Sequence, residues 1–207
     1  MKAFTVAALI FIYVAAVFAT CKKNCTQRNY SFTVNMTATP DVDSIHRNDT
    51  IWLQMNVSGN LVDNLSGSTV NYSNAENLST VIQVGKFIGG NISSPGVVDA
   101  DNEFQYQIIT GTEIQNNYPG VITEVKPAKN NGKYILKIAV VPKNIGIFGL
   151  SISNAANVFQ QGNTCEKASF EFIFGNTSQH LYFYQQNRPG YQISAYETKH
   201  LYCFKVY

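Results

Sequence analysis

Charge is what this sequence has least of. Only 14% of its 207 residues are Asp, Glu, Lys or Arg, and no basic block is longer than Lys22-Lys23. A surface that tracks a phosphate backbone needs clustered positive charge, so nucleic acid is not an expected partner. Histidine is nearly as scarce. His46, His180 and His200 fall in no metal-ligand spacing, and the last two flank aromatic runs as strand-end residues. There is no Gly-x-Ser-x-Gly elbow and no phosphate-cradling glycine loop. With no titratable group set beside a partner, no residue is assigned to catalysis, and no metal or cofactor is expected. Asp99-Ala-Asp101-Asn-Glu103 places carboxylates at alternate positions, as calcium loops do. Phe104 then stands sixth, where such a loop requires Gly, and no Glu stands twelfth, so the segment reads as a solvated loop. Also missing is any sustained apolar stripe of helical period with caps at its ends.

What is present begins with an export signal. Met1-Lys2 supplies one positive charge, and Ala3–Ala19 is apolar apart from Thr5, which matches a basic n-region and an apolar h-region over residues 1–20. Two cleavage readings follow. Val17-Phe18-Ala19 fits an ordinary signal peptidase cutting before Thr20. Phe18-Ala19-Thr20-Cys21 has the form of a lipobox, which would make Cys21 the acylated first residue of the mature chain. The second is favoured because Cys21 falls where the h-region ends and polar sequence begins. More than one acyl chain on that residue is what stable membrane anchoring needs. Removing Lys2 leaves 14 basic against 13 acidic residues, a net charge of +1.

The chain holds four cysteines: Cys21, Cys25, Cys165 and Cys203. In an oxidising compartment, an acylated Cys21 makes Cys165–Cys203 the expected disulfide and leaves Cys25 odd. Without acylation all four pair in one of three connectivities.

Beyond a polar tether at residues 21–27, the chain reads as strand after strand. Tyr30, Phe32, Val34 and Met36 alternate with Ser31, Thr33 and Asn35. Ile51, Leu53, Met55 and Val57 alternate with Trp52, Gln54 and Asn56. That period of two marks a half-buried strand. Further strands are expected at Thr80–Ile88, Glu103–Thr110, Gly120–Val125, Lys133–Val141, Gly146–Ser153, Ala168–Phe174, His180–Gln185 and Leu201–Tyr207. Turn signals separate them, among them Ser58-Gly59-Asn60, Asn131-Gly132, Gly162-Asn163 and Arg188-Pro189-Gly190. Roughly 8–10 strands at this spacing predict an all-β fold over residues 28–207, an antiparallel, immunoglobulin-like β-sandwich.

The signal followed by Cys21-Lys-Lys-Asn-Cys25, the run Asn48-Asp-Thr-Ile-Trp-Leu53, the Pro142–Leu150 corner and the terminal Tyr202-Cys-Phe-Lys-Val-Tyr207 together resemble uncharacterised Bacteroidetes cell-envelope lipoproteins. The resemblance covers most of the chain in order. It implies a small envelope lipoprotein of the outer membrane, and it transfers no activity to particular residues.

Ten Asn-x-Ser/Thr sites begin at Asn24, Asn29, Asn35, Asn48, Asn56, Asn64, Asn71, Asn77, Asn91 and Asn176. In a eukaryotic secreted protein they would carry glycans. Asp43-Ser44-Ile45 and Asp49-Thr50-Ile51 fit a short O-glycosylation pattern. Eleven of the 26 aromatics lie in residues 170–207. Core packing accounts for most of such a cluster, while an exposed Tyr row would suit the apolar faces of sugars, with Tyr182, Tyr184 and Tyr191 as candidates. The expected protein is therefore an exported, lipid-anchored, non-catalytic module that binds a glycan or a protein partner. The alternatives are an assembly subunit that pairs through an edge such as Leu201–Tyr207, or a secreted N-glycosylated protein.

Overall fold

A computed structural model describes residues 26–90, 96–114, 123–175 and 177–207. The signal segment, Cys21 and Cys25 lie outside the described residues, as do Asn24, Asn91 and Asn176. The described strands are β1 (Arg28–Asn35), β2 (Thr37–Thr39), β3 (Ser44–Ile45), β4 (Ile51–Ser58), β5 (Asn60–Val62), β6 (Thr69–Asn71), β7 (Thr80–Phe87), β8 (Val97–Asp99) and β9 (Phe104–Thr110). They continue as β10 (Thr112–Ile114), β11 (Thr123–Lys126), β12 (Ala128–Asn130), β13 (Lys133–Pro142), β14 (Gly146–Ile152), β15 (Ala155–Gln160), β16 (Asn163–Ile173) and β17 (Leu201–Val206). Two short helices, α1 (Tyr182–Asn187) and α2 (Glu197–His200), lie between β16 and β17. The fold is all-β.

One sheet runs β12-β13-β4-β2, with β9 beside β13; the largest runs β10-β11-β7-β14-β17-β3, with β8 beside β7. A third is β1-β16-β15, and β5-β6 forms a separate ribbon. The described strands number more than the expected 8–10, because short two- and three-residue ladders such as β3, β5 and β6 break off at turns. Pairing is antiparallel except for β1 with β16 and β3 with β17, which are parallel. After Met36 N–H bonds to the Ile173 carbonyl at 2.8 Å, the chain leaves β16, and Thr37 takes its place beside Gln54 of β4.

The alternation seen in the sequence is what builds the core. Ile51, Leu53 and Met55 point inward from β4, and Tyr134, Leu136, Ile138 and Val140 from β13. Against them pack Ile82 and Val84 of β7, Phe148, Leu150 and Ile152 of β14, and Phe32 and Val34 of β1, in one continuous hydrophobic cluster. Five of the eleven late aromatics belong to it. Phe170, Phe172, Phe174, Tyr202 and Phe204 are all buried, and Phe148 packs edge-on to Phe104 at 4.9 Å and against Phe204 at 5.9 Å. Each such ring removed from water contributes about 1.5–3 kcal/mol.

Asn131-Gly132 forms the two-residue turn between β12 and β13. Asn130 pairs with Lys133, and both turn residues have positive φ, 48° and 71°, the backbone that an Asn-Gly hairpin supplies at low cost.

Three expectations are corrected here. The segment His180–Gln185 is not a strand: Tyr182–Asn187 is helical. The sheet leaves it no berth, because β17 already lies between β14 and β3, so the connection must cross the outside of the sheet. For the same reason Leu201–Tyr207 is not a free edge, since β17 is hydrogen-bonded on both sides. Finally, Cys203 is free and buried, while Cys165 is disulfide-bonded, so no Cys165–Cys203 bond exists. Cys203 sits in β17 opposite Gly149 of β14, whereas Cys165 belongs to β16 of a different sheet. Burial pushes the Cys203 thiol well above its ordinary pKa.

Candidate functional site

The crossing between β16 and β17 forms a lid on the outer face of the largest sheet. Its two ends are tied together: Phe174 N–H donates to the Lys199 carbonyl at 2.8 Å, and Cys203 N–H donates to that of Gln179 at 2.9 Å. Gln179 Nε2 also donates to the Leu201 carbonyl at 2.9 Å. The sheet beneath is cut low for it. Gly149 lies opposite Gly85, and a Cβ at Gly149 would stand 2.9 Å from Phe87 Cζ and 3.0 Å from Leu201 Cδ1. Glycine there lets Phe87 and Leu201 lie across the bare backbone, where Phe87 meets the Tyr184 ring at 5.6 Å. At the far end of α1, Asn187 Oδ1 accepts the Gly89 N–H at 2.6 Å and Asn187 Nδ2 donates to the Gly96 carbonyl at 3.2 Å.

The interior of the lid is organised by one carboxylate. Glu197 Oε1 accepts the Tyr184 hydroxyl at 2.6 Å. Its Oε2 accepts the Tyr191 hydroxyl at 3.0 Å, and from Ser194 both the N–H, at 2.8 Å, and the hydroxyl, at 2.7 Å. Glu197 N–H returns a bond to Ser194 Oγ at 3.1 Å, which makes Ser194 and Glu197 a reciprocal capping box. Burial alone would raise the Glu197 carboxyl, but the bonds from Tyr184, Ser194 and Tyr191 outweigh it and hold the group below the ordinary carboxylate range. Arg188 completes the network, donating from Nη1 to the Tyr184 hydroxyl at 2.9 Å and lying 3.5 Å above the Tyr191 ring.

Between this lid and β8 opens a cleft of about 420 Å³. Val97, Val98 and Asp99 form one wall, and Gln83 and Ser151 add polar groups. Tyr196 stands on the opposite wall, 54% exposed. One face of its ring stacks on His200, 3.9 Å away and inclined by 12°. His200 is itself buried and fixed at both ring nitrogens, with Nδ1 2.7 Å from the Tyr196 carbonyl and Nε2 3.0 Å from Asn154 Oδ1. The stack leaves the outer face of Tyr196 uncovered by His200.

Behind the cleft, Asp101 is 1% exposed. Its Oδ1 accepts the Val84 N–H at 2.7 Å and the Tyr106 hydroxyl at 2.8 Å, while Oδ2 has no partner. Desolvation pushes this carboxyl up to about 6 against the bonds from Val84 and Tyr106. The three alternate carboxylates go separate ways. Asp99 accepts the Asp101 N–H at 3.0 Å, and Glu103 pairs with Lys86 at 2.8 Å.

The three candidate tyrosines do not make a row. Tyr184 is buried in the lid and borders the cleft. Tyr191 packs edge-on behind it at 5.8 Å. Tyr182 is apart from both, bonded through its hydroxyl to Asp43 Oδ2 at 2.7 Å. Tyr196, which the aromatic count did not single out, is the exposed ring of the cleft. Its signal in the sequence was the neighbouring Ser194-x-x-Glu197, a capping-box pattern that fixes the helical turn carrying it. Of the sequons, Asn29, Asn35, Asn48, Asn56, Asn64, Asn71 and Asn77 are exposed, the outcome expected where Asn occupies the solvent side of an alternating strand or a turn.

No protein-family model matches the chain, and no curated protein matches it. Among solved structures, the chain is similar to the CupB6 tip adhesin of Pseudomonas aeruginosa at 11% identity and a TM-score of 0.19. The likeness covers 72% of this chain and 42% of that one, and at that TM-score it supports no conclusion about fold or function.

Proposed function

We propose that this chain is an exported, lipid-anchored envelope protein whose β-domain is a non-catalytic module that holds a glycan in the cleft under the lid. The observation that carries the binding reading is Tyr196, an exposed ring stacked on one face against an anchored imidazole. A sugar ring presents an apolar face to such a platform and hydroxyls to its rim, where Asp99, Gln83 and Ser151 supply acceptors and donors. Ordering the platform in advance lowers the entropic cost of binding. Glu197 supports the non-catalytic side of the reading, because both of its oxygens are already engaged by the lid's own donors and neither is left for proton transfer. The export signal over residues 1–20, the lipobox-like Cys21 and the resemblance to envelope lipoproteins support the address.

Intact mass of the protein extracted from membranes tests that address. A diacyl or triacyl adduct on Cys21 is the expected result, and an unmodified N-terminus at Thr20 would refute the anchoring. A glycan array probed with the β-domain tests the occupation: binding to a defined set of sugars is expected, and no binding to any would refute it. The secreted, N-glycosylated reading draws on the seven exposed sequon asparagines, and hexosamine-bearing masses in the same spectrum would favour it.

A further inference from the structure

The tyrosines and Ser194 engage both oxygens of Glu197, and the cation beside it is left without an ionic partner. Arg188 lines the cleft, yet among the described residues no carboxylate lies within ion-pair distance of its guanidinium. Its side chain makes one hydrogen bond there, from Nη1 to the Tyr184 hydroxyl at 2.9 Å. That hydroxyl stands between the two charges, donating in turn to Glu197 Oε1 at 2.6 Å. Arg188 Nε is buried with no partner. A guanidinium carries five N–H donors in a rigid fork, so most of them are unused here. On the glycan reading above, we infer that the cleft selects an acidic sugar, a uronic acid whose carboxylate sits at the Arg188 end.

The match is one of shape as well as charge. A carboxylate takes two parallel N–H···O bonds from a guanidinium fork, and these charge-assisted bonds are stronger than the single bond a neutral hydroxyl accepts. The fork is also set before any ligand arrives, because the guanidinium lies 3.5 Å from the centre of the Tyr191 ring, which lowers the entropic cost of using it.

Strand register places the acid. Asn187, next to Arg188, is bonded to Gly89 and Gly96, just beyond the rung at which Phe87 pairs with Val97. Tyr196 belongs to the other end, since the His200 beneath it bonds Asn154, three residues past the Ser151 that faces Gln83. From Gln83 to Phe87 a strand rises about 13 Å, so a ligand that reaches both ends carries more than one sugar ring. Asp99 lines the same cleft and pairs with Gly85, midway between. Its carboxylate repels an acid in the middle of the cleft and accepts hydroxyls there. The neutral ring therefore lies on Tyr196 and the acidic one at Arg188.

The test is a titrated glycan array that carries glucuronic and galacturonic acid oligosaccharides beside their carboxyl-reduced counterparts, probed with the full chain, Arg188→Gln and Arg188→Lys. The native chain should bind the acidic member of a pair about tenfold or more tightly than the reduced one, and added salt should narrow the gap. Arg188→Gln should bind both members alike, and Arg188→Lys should keep a smaller preference, because an ammonium retains the charge without the fork. A residue that only packed the lid would, when replaced, weaken both members by the same factor, so a preference that survives in Arg188→Gln would overturn the assignment. Equal binding of both members by the native chain would overturn it without any variant and leave the glycan reading standing. Binding to no member of either set would overturn both.

Discussion

Replacing Asp101 by Asn isolates the cost of a buried, half-satisfied carboxyl. In the fold, burial pushes the Asp101 carboxyl up to about 6, well above the ordinary range of an Asp, and the side chain is 1% exposed. An acid whose pKa is raised on folding keeps its proton in the native state while the unfolded chain has already lost it. Between about pH 4 and 6 the native state therefore binds more protons, and stability falls as pH rises. A rise of roughly two pKa units is worth about 3 kcal/mol, nearly all of it lost by pH 7. Asn keeps the oxygen that accepts the Val84 N–H and the Tyr106 hydroxyl and cannot ionise. Relative to the native chain, Asp101→Asn should thus gain about 3 kcal/mol between pH 4 and pH 7.5. Urea unfolding of both proteins at half-unit pH steps measures this. Only the difference between the two curves is diagnostic, because Asp63, Glu171 and Glu197 are held low and contribute stability of the opposite slope. A difference that does not change with pH, or one that favours the native chain as pH rises, would refute the reasoning.

Other consequences follow from single contacts. Ser194→Ala removes the capping box that orders the lid and should cost about 1 kcal/mol in urea unfolding, with faster amide exchange confined to residues 181–200. Gly59→Ala should cost more than about 2 kcal/mol, since the added Cβ would stand 2.8 Å from the Gly132 carbonyl oxygen and overlap the Ser73 backbone. The clash should show as faster exchange of the residue-59 amide, which in the native chain donates to the Gly132 carbonyl at 2.7 Å. Cys203 should resist a water-soluble thiol reagent in the native state and react within minutes in denaturant, because it is buried and its thiolate is disfavoured.

How much of this was legible in the residues depended on the range of the interaction that decides each feature. The strands β4 and β13 announced themselves because a period of two is a local property, and Asn131-Gly132 did so because the turn needs only its own two φ angles. The pairing of β1 with β16 joins residues 138 positions apart, and no local pattern encodes a partner at that distance. Residues 180–185 misled for a related reason. Their aromatic content favours a strand, but whether a strand can form depends on a vacant sheet edge, and β3 and β14 already occupy both sides of β17. The cleft inherited that error. The aromatic count found Tyr184 and Tyr191, which turned out to be the lid's own packing, while Tyr196 owes its fixed orientation to the buried His200 beneath it. The Cys165–Cys203 pairing failed because setting Cys21 aside for acylation says nothing of which sheet each remaining cysteine joins.

The central claim is that the lid cleft binds a sugar on the free face of Tyr196. Calorimetric titration of the native chain, Tyr196→Ala and Tyr182→Ala with a sugar selected on the array tests it most directly. Loss of the platform should weaken binding about tenfold or more, about 1.4 kcal/mol, while Tyr182→Ala, altered outside the cleft, should bind as the native chain does. Equal affinity for all three proteins would contradict the account.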